Sequence, residues 1–139
     1  MIAGNKYTDA LTELNEERLV NLCGENKYFE AERLYFLGIL SNADSSLQLE
    51  NSIDYFRKAY DIVKELDITE VTWKILFMIT TYYAERGNFG KIEESIVYAK
   101  AILDFLAEKL SDPRLKMVFL DQPERHYALE TLNRIAEQL

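Results

Sequence analysis

Apolar positions along the chain fall into helical stripes. Phe89, Ile92, Ile96, Ala99, Leu103, Leu106 and Leu110 recur at alternating steps of three and four, which marks one face of an α-helix. Leu49, Ile53, Phe56, Tyr60 and Val63 repeat that spacing earlier, and Ala128, Leu132, Ile135 and Leu139 repeat it at the end. Two segments are of another kind. Val71 to Tyr83 and Leu34 to Leu40 are apolar around most of the helix circumference, so both need neighbours on two flanks. No segment alternates apolar and polar residues long enough to predict a strand. The pattern therefore predicts an all-α chain, with helices at about 7–23, 27–43, 47–66, 69–86, 89–110, 112–121 and 123–138. Short connections make consecutive helices antiparallel neighbours. Helices apolar on all sides (27–43, 69–86) alternate with one-sided ones (47–66, 89–110), as expected of layered hairpins whose inner helix is sandwiched.

The few glycines and prolines punctuate this pattern. Gly24 follows Leu22-Cys23, and Gly87 closes the stretch TTYYAER with Gly90 close behind. Gly87 is placed to stop its helix in a left-handed turn. Pro113 follows Ser111-Asp112 and Pro123 follows Asp121-Gln122, both signals for a helix start. Gly38 is different, since it lies inside an apolar helical pattern.

The segment from Leu34 to Leu66 can be laid over that from Leu76 to Leu110. Leu34, Leu37 and Gly38, then Ser52, Phe56 and Ala59, correspond to Leu76, Ile79 and Thr80, then Ile92, Ile96 and Ala99. This resembles the tetratricopeptide repeat, with its large residue, Leu-Gly and Tyr on one helix and Ala, aromatic and Ala on the next. A small residue at Gly38, and Ala59 or Ala99 opposite, lets paired helices approach, and Phe56 fills the space that remains. The matched positions are 40 to 42 residues apart, against roughly 34 in the standard repeat. Longer helices or insertions such as NADSSLQLEN account for the excess. A second register, with Ser95, Ala99 and Ile102 on the outer helix, fits if three residues are inserted after Gly87.

The C-terminal stretch SDPRLKMVFLDQPERHYAL resembles the tail that closes extended tetratricopeptide arrays in large bacterial signalling proteins. The matching residues are Asp112-Pro113, Arg114, Val118, Phe119-Leu120 and Pro123. The resemblance implies a capping helix with Leu115, Val118 and Phe119 turned inward. It also implies a short right-handed solenoid spanning 1–139 as one domain. Its parts are an N-terminal helix at 7–26, hairpins at 27–66 and 69–110, and capping helices at 112–139.

Composition narrows the function classes. Net charge is −8, and the acidity is uneven: residues 1–70 carry 14 acids against 7 bases, residues 71–139 carry 10 against 9. No basic cluster exists to displace counterions from phosphates, so a nucleic-acid ligand is not expected. Cys23 has no partner for a disulfide. MIAGNKYTDA has neither the basic start nor the apolar core of a signal peptide, and the apolar run Ile75 to Ile79 is too short for a bilayer. A cytoplasmic protein away from membranes is expected.

No catalytic constellation emerges, and no metal or cofactor is expected. His126 is the only histidine, so a triad or a His-rich metal site has one centre at most. Cys23 sits near a helix end, where the dipole raises a thiol pKa. Glu16-Glu17 and Glu93-Glu94 are adjacent and diverge around the helix. Gly87-Asn88-Phe89-Gly90 lacks the lysine of a phosphate loop. By the resemblance, Tyr35, Ile39 and Asn42, with Phe77, Thr81 and Glu85, face a concave groove. Such a groove accepts an amphipathic helix or extended peptide. Two readings follow: a non-catalytic protein-interaction module, regulatory within a larger bacterial signalling protein, or a sensor of a peptide or small ligand. Two hairpins are few for such an array, which predicts a homodimer or an upstream segment covering the open end.

Overall fold

The structure, a computed structural model, describes the backbone of residues 2–139 and the side chains of residues 6–139. It is all-helical, with 81% of residues in helices and no strand among those described. Two compact units divide it, Met1–Asp67 and Ile68–Leu139. Among the described residues no helix is long and apolar enough to cross a membrane.

The first unit holds α1 (Ile2–Leu14), α2 (Glu17–Glu25), α3 (Lys27–Ala43) and α4 (Ser52–Val63). One helix was expected at 7–26, and there are two. The chain breaks at Asn15-Glu16, where Glu16 becomes an extended N-cap whose carboxylate accepts from the Arg18 amide. The break is held by a residue 18 positions away. Arg33 of α3 donates from Nε to the Leu14 carbonyl at 2.7 Å and from Nη2 to Asn15 Oδ1 at 2.8 Å. A guanidinium thus satisfies a carbonyl that a longer helix would have satisfied itself. Gly24 lies within α2, and it is Asn26 that separates α2 from α3 by capping the amides of Tyr28 and Phe29.

The α3–α4 pair is an antiparallel hairpin. At one end the Ser41 hydroxyl donates to the Glu50 carbonyl, and at the other Tyr28 Oη accepts from the Asp67 amide at 3.1 Å. Gly38 is buried at the crossing, and a Cβ there would stand 2.6 Å from Phe56 Cε1. Ala59 is fully buried. α4 starts later than the expected 47, because Asp44 caps a 3-10 turn at Ser45–Leu47 and Gln48 takes a left-handed φ of 54°. The Ser46 hydroxyl and amide hold the Asp44 carboxyl below its ordinary pKa.

The second unit holds α5 (Glu70–Glu85), α6 (Glu93–Glu108), α7 (Pro113–Asp121) and α8 (Pro123–Ala136). Gly87 ends α5 at φ 71°, with its amide bonded to the Ala84 carbonyl and that of Asn88 to the Tyr83 carbonyl. This is the glycine stop expected of the sequence. A 3-10 turn at Phe89–Lys91 then delays α6 to Glu93. Thr80 stands where the first hairpin has Gly38. It is fully buried, its hydroxyl 2.9 Å from Ser95 Oγ and 2.8 Å from the Leu76 carbonyl. Along α4, Ser52, Phe56, Ala59 and Val63 are buried, and so are Ile92, which caps α6, and Ile96, Ala99 and Leu103 within it. Each position lies 40 residues from its counterpart.

The last two helices correct one expectation. α8 buries Ala128, Thr131, Leu132 and Ile135, whereas α7 buries nothing. Leu115 and Val118 are 52% and 58% exposed. Of the three residues expected inward, only Phe119 lies on the sheltered side of α7, which it shares with Asp112, Lys116 and Leu120; Lys116 reaches Glu108 of α6 at 2.8 Å. Phe119 is half-buried under the Arg125 guanidinium at 3.9 Å. Arg125 also binds Glu70 at 2.9 Å, so it ties the starts of α5 and α8 to the end of α7.

Candidate functional site

An apolar cleft of about 250 Å³ opens in the first unit among α1, α2 and α3. Its walls are Leu14, Leu19, Leu22, Phe29 and Phe36, with Glu32 and Arg33 as its polar members. The local sequence explains its shape. Phe29 and Phe36 are seven residues apart, two turns of one helix face, with Arg33 between them. The Arg33 head is drawn to the end of α1, so its stem forms part of the cleft wall while its charge is spent inside the protein. Leu22, Phe29 and Phe36 remain 46%, 42% and 50% exposed. Large apolar side chains held half-open in a concave wall are the arrangement that takes up a partner's side chain.

Arg33 is the positioning residue of the cleft. Arg33→Ala is expected to destabilise the first unit by about 1–2 kcal/mol, since it strips a charged donor from the half-buried Leu14 carbonyl. Amides of α1 and α2 should then exchange faster with solvent while α4 stays protected. Uniform protection across the variant would contradict this role.

The residues expected to form a groove are distributed as follows. On α3, Tyr35 and Ile39 are half-buried and Asn42 is exposed. Tyr35 packs edge-on against Phe36, ring centroids 5.4 Å apart, and lies 6.0 Å from Phe56. On α5, Phe77 is half-buried with its ring edge-on to Tyr127 of α8 at 6.1 Å. The Thr81 hydroxyl turns back to the Met78 carbonyl at 3.1 Å, and Glu85 is exposed. Each triplet lies along one face of its own helix, and Phe77 already has an aromatic neighbour.

Sequence reasoning missed the cleft. The signal was present in Phe29 and Phe36 at heptad spacing and in Leu19 and Leu22 three apart, but nothing local announced the break that folds α1 and α2 against α3.

The titratable groups show how the remaining chemistry is placed. Cys23 is 2% exposed, and burial raises its thiol pKa, with Glu30 adding to the effect. Burial is the largest cause, and Glu30 and Glu32 outweigh the opposing charge of Arg33. His126 Nε2 lies 2.9 Å from Glu130 Oε1 on an exposed turn of α8. The Arg114 amide and side chain hold the Asp112 carboxyl below its ordinary pKa at the start of α7. Among the described residues no three His, Cys, Asp or Glu side chains converge.

No protein-family model, curated protein or solved structure matches the chain.

Proposed function

We propose that the chain is a non-catalytic protein-interaction module of the tetratricopeptide type, which docks a basic amphipathic helix in the α1–α3 cleft. The observation that carries this reading is the cleft itself. At about 250 Å³ it falls below the range of roughly 300–1,000 Å³ typical of small-molecule sites. That volume suits one or two apolar side chains of a docked helix, and so favours the module over the sensor of a small ligand. Charge selects the partner's sign. Residues 6–43 carry seven acids against four bases, and Arg33 is engaged internally. Glu32 is exposed beside the apolar wall. Lysine or arginine flanking apolar anchors would meet that field.

The family reading rests on the matched burial of the outer helices and on the small or compact residue, Gly38 or Thr80, at each crossing. It carries with it a short right-handed array closed by residues 112–139. In that reading the stripes Tyr35-Ile39-Asn42 and Phe77-Thr81-Glu85 are a second candidate surface. The bacterial signalling context and cytoplasmic location belong to the same proposal.

A fluorescent leucine–lysine amphipathic peptide tests the cleft. The expected dissociation constant is about 10 µM, and Phe29→Ala/Phe36→Ala should weaken binding at least about tenfold with helicity unchanged. Equal affinity for the double variant would remove the cleft as the site.

A further inference from the structure

α1 is an amphipathic helix with a shallow seat in the first unit. Tyr7, Ala10, Leu11 and Leu14 share one helical face and are half-buried, while the other residues from 6 to 13 are exposed. None of the described side chains of α1 is fully buried, whereas α3 buries Ala31, Leu37, Gly38 and Leu40. α2 differs from α1 in having one buried pin, Cys23, at 2% exposure. Between the two helices the backbone of Glu16 is extended, with φ −62° and ψ 134°. A segment that buries little apolar surface opens at lower cost than the core beside it. The end of α1 is held by Arg33, through the Leu14 carbonyl at 2.7 Å and Asn15 Oδ1 at 2.8 Å. Leu14 is at the same time a wall of the apolar cleft.

We propose that α1 is a displaceable lid, latched by Arg33, which turns about Asn15-Glu16 and gives up its place to the docked helix. The lid rests on the reading of the cleft as the docking site. Charge explains why a partner displaces it. From 6 to 14, α1 carries Asp9 and Glu13 against Lys6, and residues 15–43 carry five acids against three bases. One of those bases, Arg33, is engaged internally. The helix now in place is therefore acidic and sits in an acidic neighbourhood. A helix with the same apolar spacing and lysines for its acids keeps the apolar contacts and turns repulsion into attraction. Space acts in the same direction. The cleft of about 250 Å³ seats one or two side chains, and moving Leu14 aside opens its α1 wall to a longer segment.

A latched lid couples affinity to opening, because a ligand of the open form meets only the open fraction of the chain. Hydrogen exchange and the leucine–lysine peptide therefore read one equilibrium in two ways. Arg33→Met keeps an apolar stem in the cleft wall and removes the latch. In the free variant α1 amides should exchange about tenfold faster, and the peptide should bind about tenfold tighter. Asn15→Asp lies outside the cleft wall and turns the 2.8 Å hydrogen bond into an ion pair. It should shift both readings about threefold the other way. That weakening runs against simple attraction, since the new carboxylate would draw a basic peptide in.

In the wild type, saturating peptide should speed exchange in α1 and slow it in α2 and α3, with the Cys23 thiol still closed to an aromatic disulfide reagent. Peptide that protects α1 overturns the lid. So does an affinity that either variant leaves unchanged, or Cys23 labelling that rises together with α1 exchange. Those three outcomes leave the cleft standing as a docking site. Absence of binding to the wild type and to Arg33→Met alike overturns the cleft reading, and the lid with it.

Discussion

Trp73→Ala should destabilise the second unit by about 3–5 kcal/mol, the largest single-residue effect expected in this chain. Trp73 is the largest of the fully buried side chains, at 1% exposure, and sits on α5 with Val71, Thr72, Ile75 and Leu76, which are also buried. Truncation leaves a cavity that close-packed neighbours cannot fill without distortion. Trp73→Phe separates packing from polarity. The indole N–H is buried with no hydrogen-bond partner, so removing it forfeits no bond, and the cost should drop to about 1–2 kcal/mol. Denaturant titration with hydrogen exchange on α5, α6 and α8 measures both variants. A loss below about 1 kcal/mol for Trp73→Ala would show that the indole is not a packing centre.

Gly38→Ala should be destabilising in a place where helix propensity predicts the reverse. Alanine is favoured over glycine inside a helix by about 1 kcal/mol. Against that, the added methyl would meet Phe56 Cε1, Cζ and Cδ1 at 2.6, 2.8 and 2.9 Å. The ring is only 1% exposed, so it cannot swing into solvent, and the helices must separate or the ring must leave its rotamer. Overpacking of this kind costs about 1–3 kcal/mol net. Phe56→Leu in the same chain should recover part of the loss, a coupling that a double-mutant cycle reads directly. Gly24→Ala is the internal contrast. It lies within α2 with no atom within 4 Å of the added Cβ, so it should be neutral or stabilising by up to about 1 kcal/mol. If Gly38→Ala behaved like Gly24→Ala, the close approach of α3 and α4 would be refuted.

The two glycines show what was legible in the sequence and what was not. Gly38 sits in an apolar pattern with Phe56 and Ala59 at helical spacing, and the close crossing is readable from that combination alone. Gly87 is readable for the same reason, as a left-handed stop between two periodic segments. The starts of α4 and α6 were not, since Asp44 with Ser46 and the Phe89–Lys91 segment prefer a 3-10 turn to another turn of α-helix. The inward face of α7 was also misjudged. The resemblance pointed to Leu115, Val118 and Phe119; Phe119 is sheltered beneath Arg125, but Leu115 and Val118 face out, and Lys116, paired with Glu108, lies on the sheltered side. The Asn15-Glu16 break was out of reach altogether, because local propensity carries no record of a guanidinium 18 positions downstream.

That guanidinium has a consequence for the order of biosynthesis. The ribosome releases Leu14 and Asn15 well before Arg33, so the N-terminal helices emerge without the group that fixes their angle. Until α3 has been translated, nothing supplies the bonds that Arg33 makes to Leu14 and Asn15. The bend at Asn15-Glu16 is therefore expected to become fixed only after Arg33 has left the ribosome. A substitution that slows it would lower the yield of correctly folded product even where the finished protein is as stable as before.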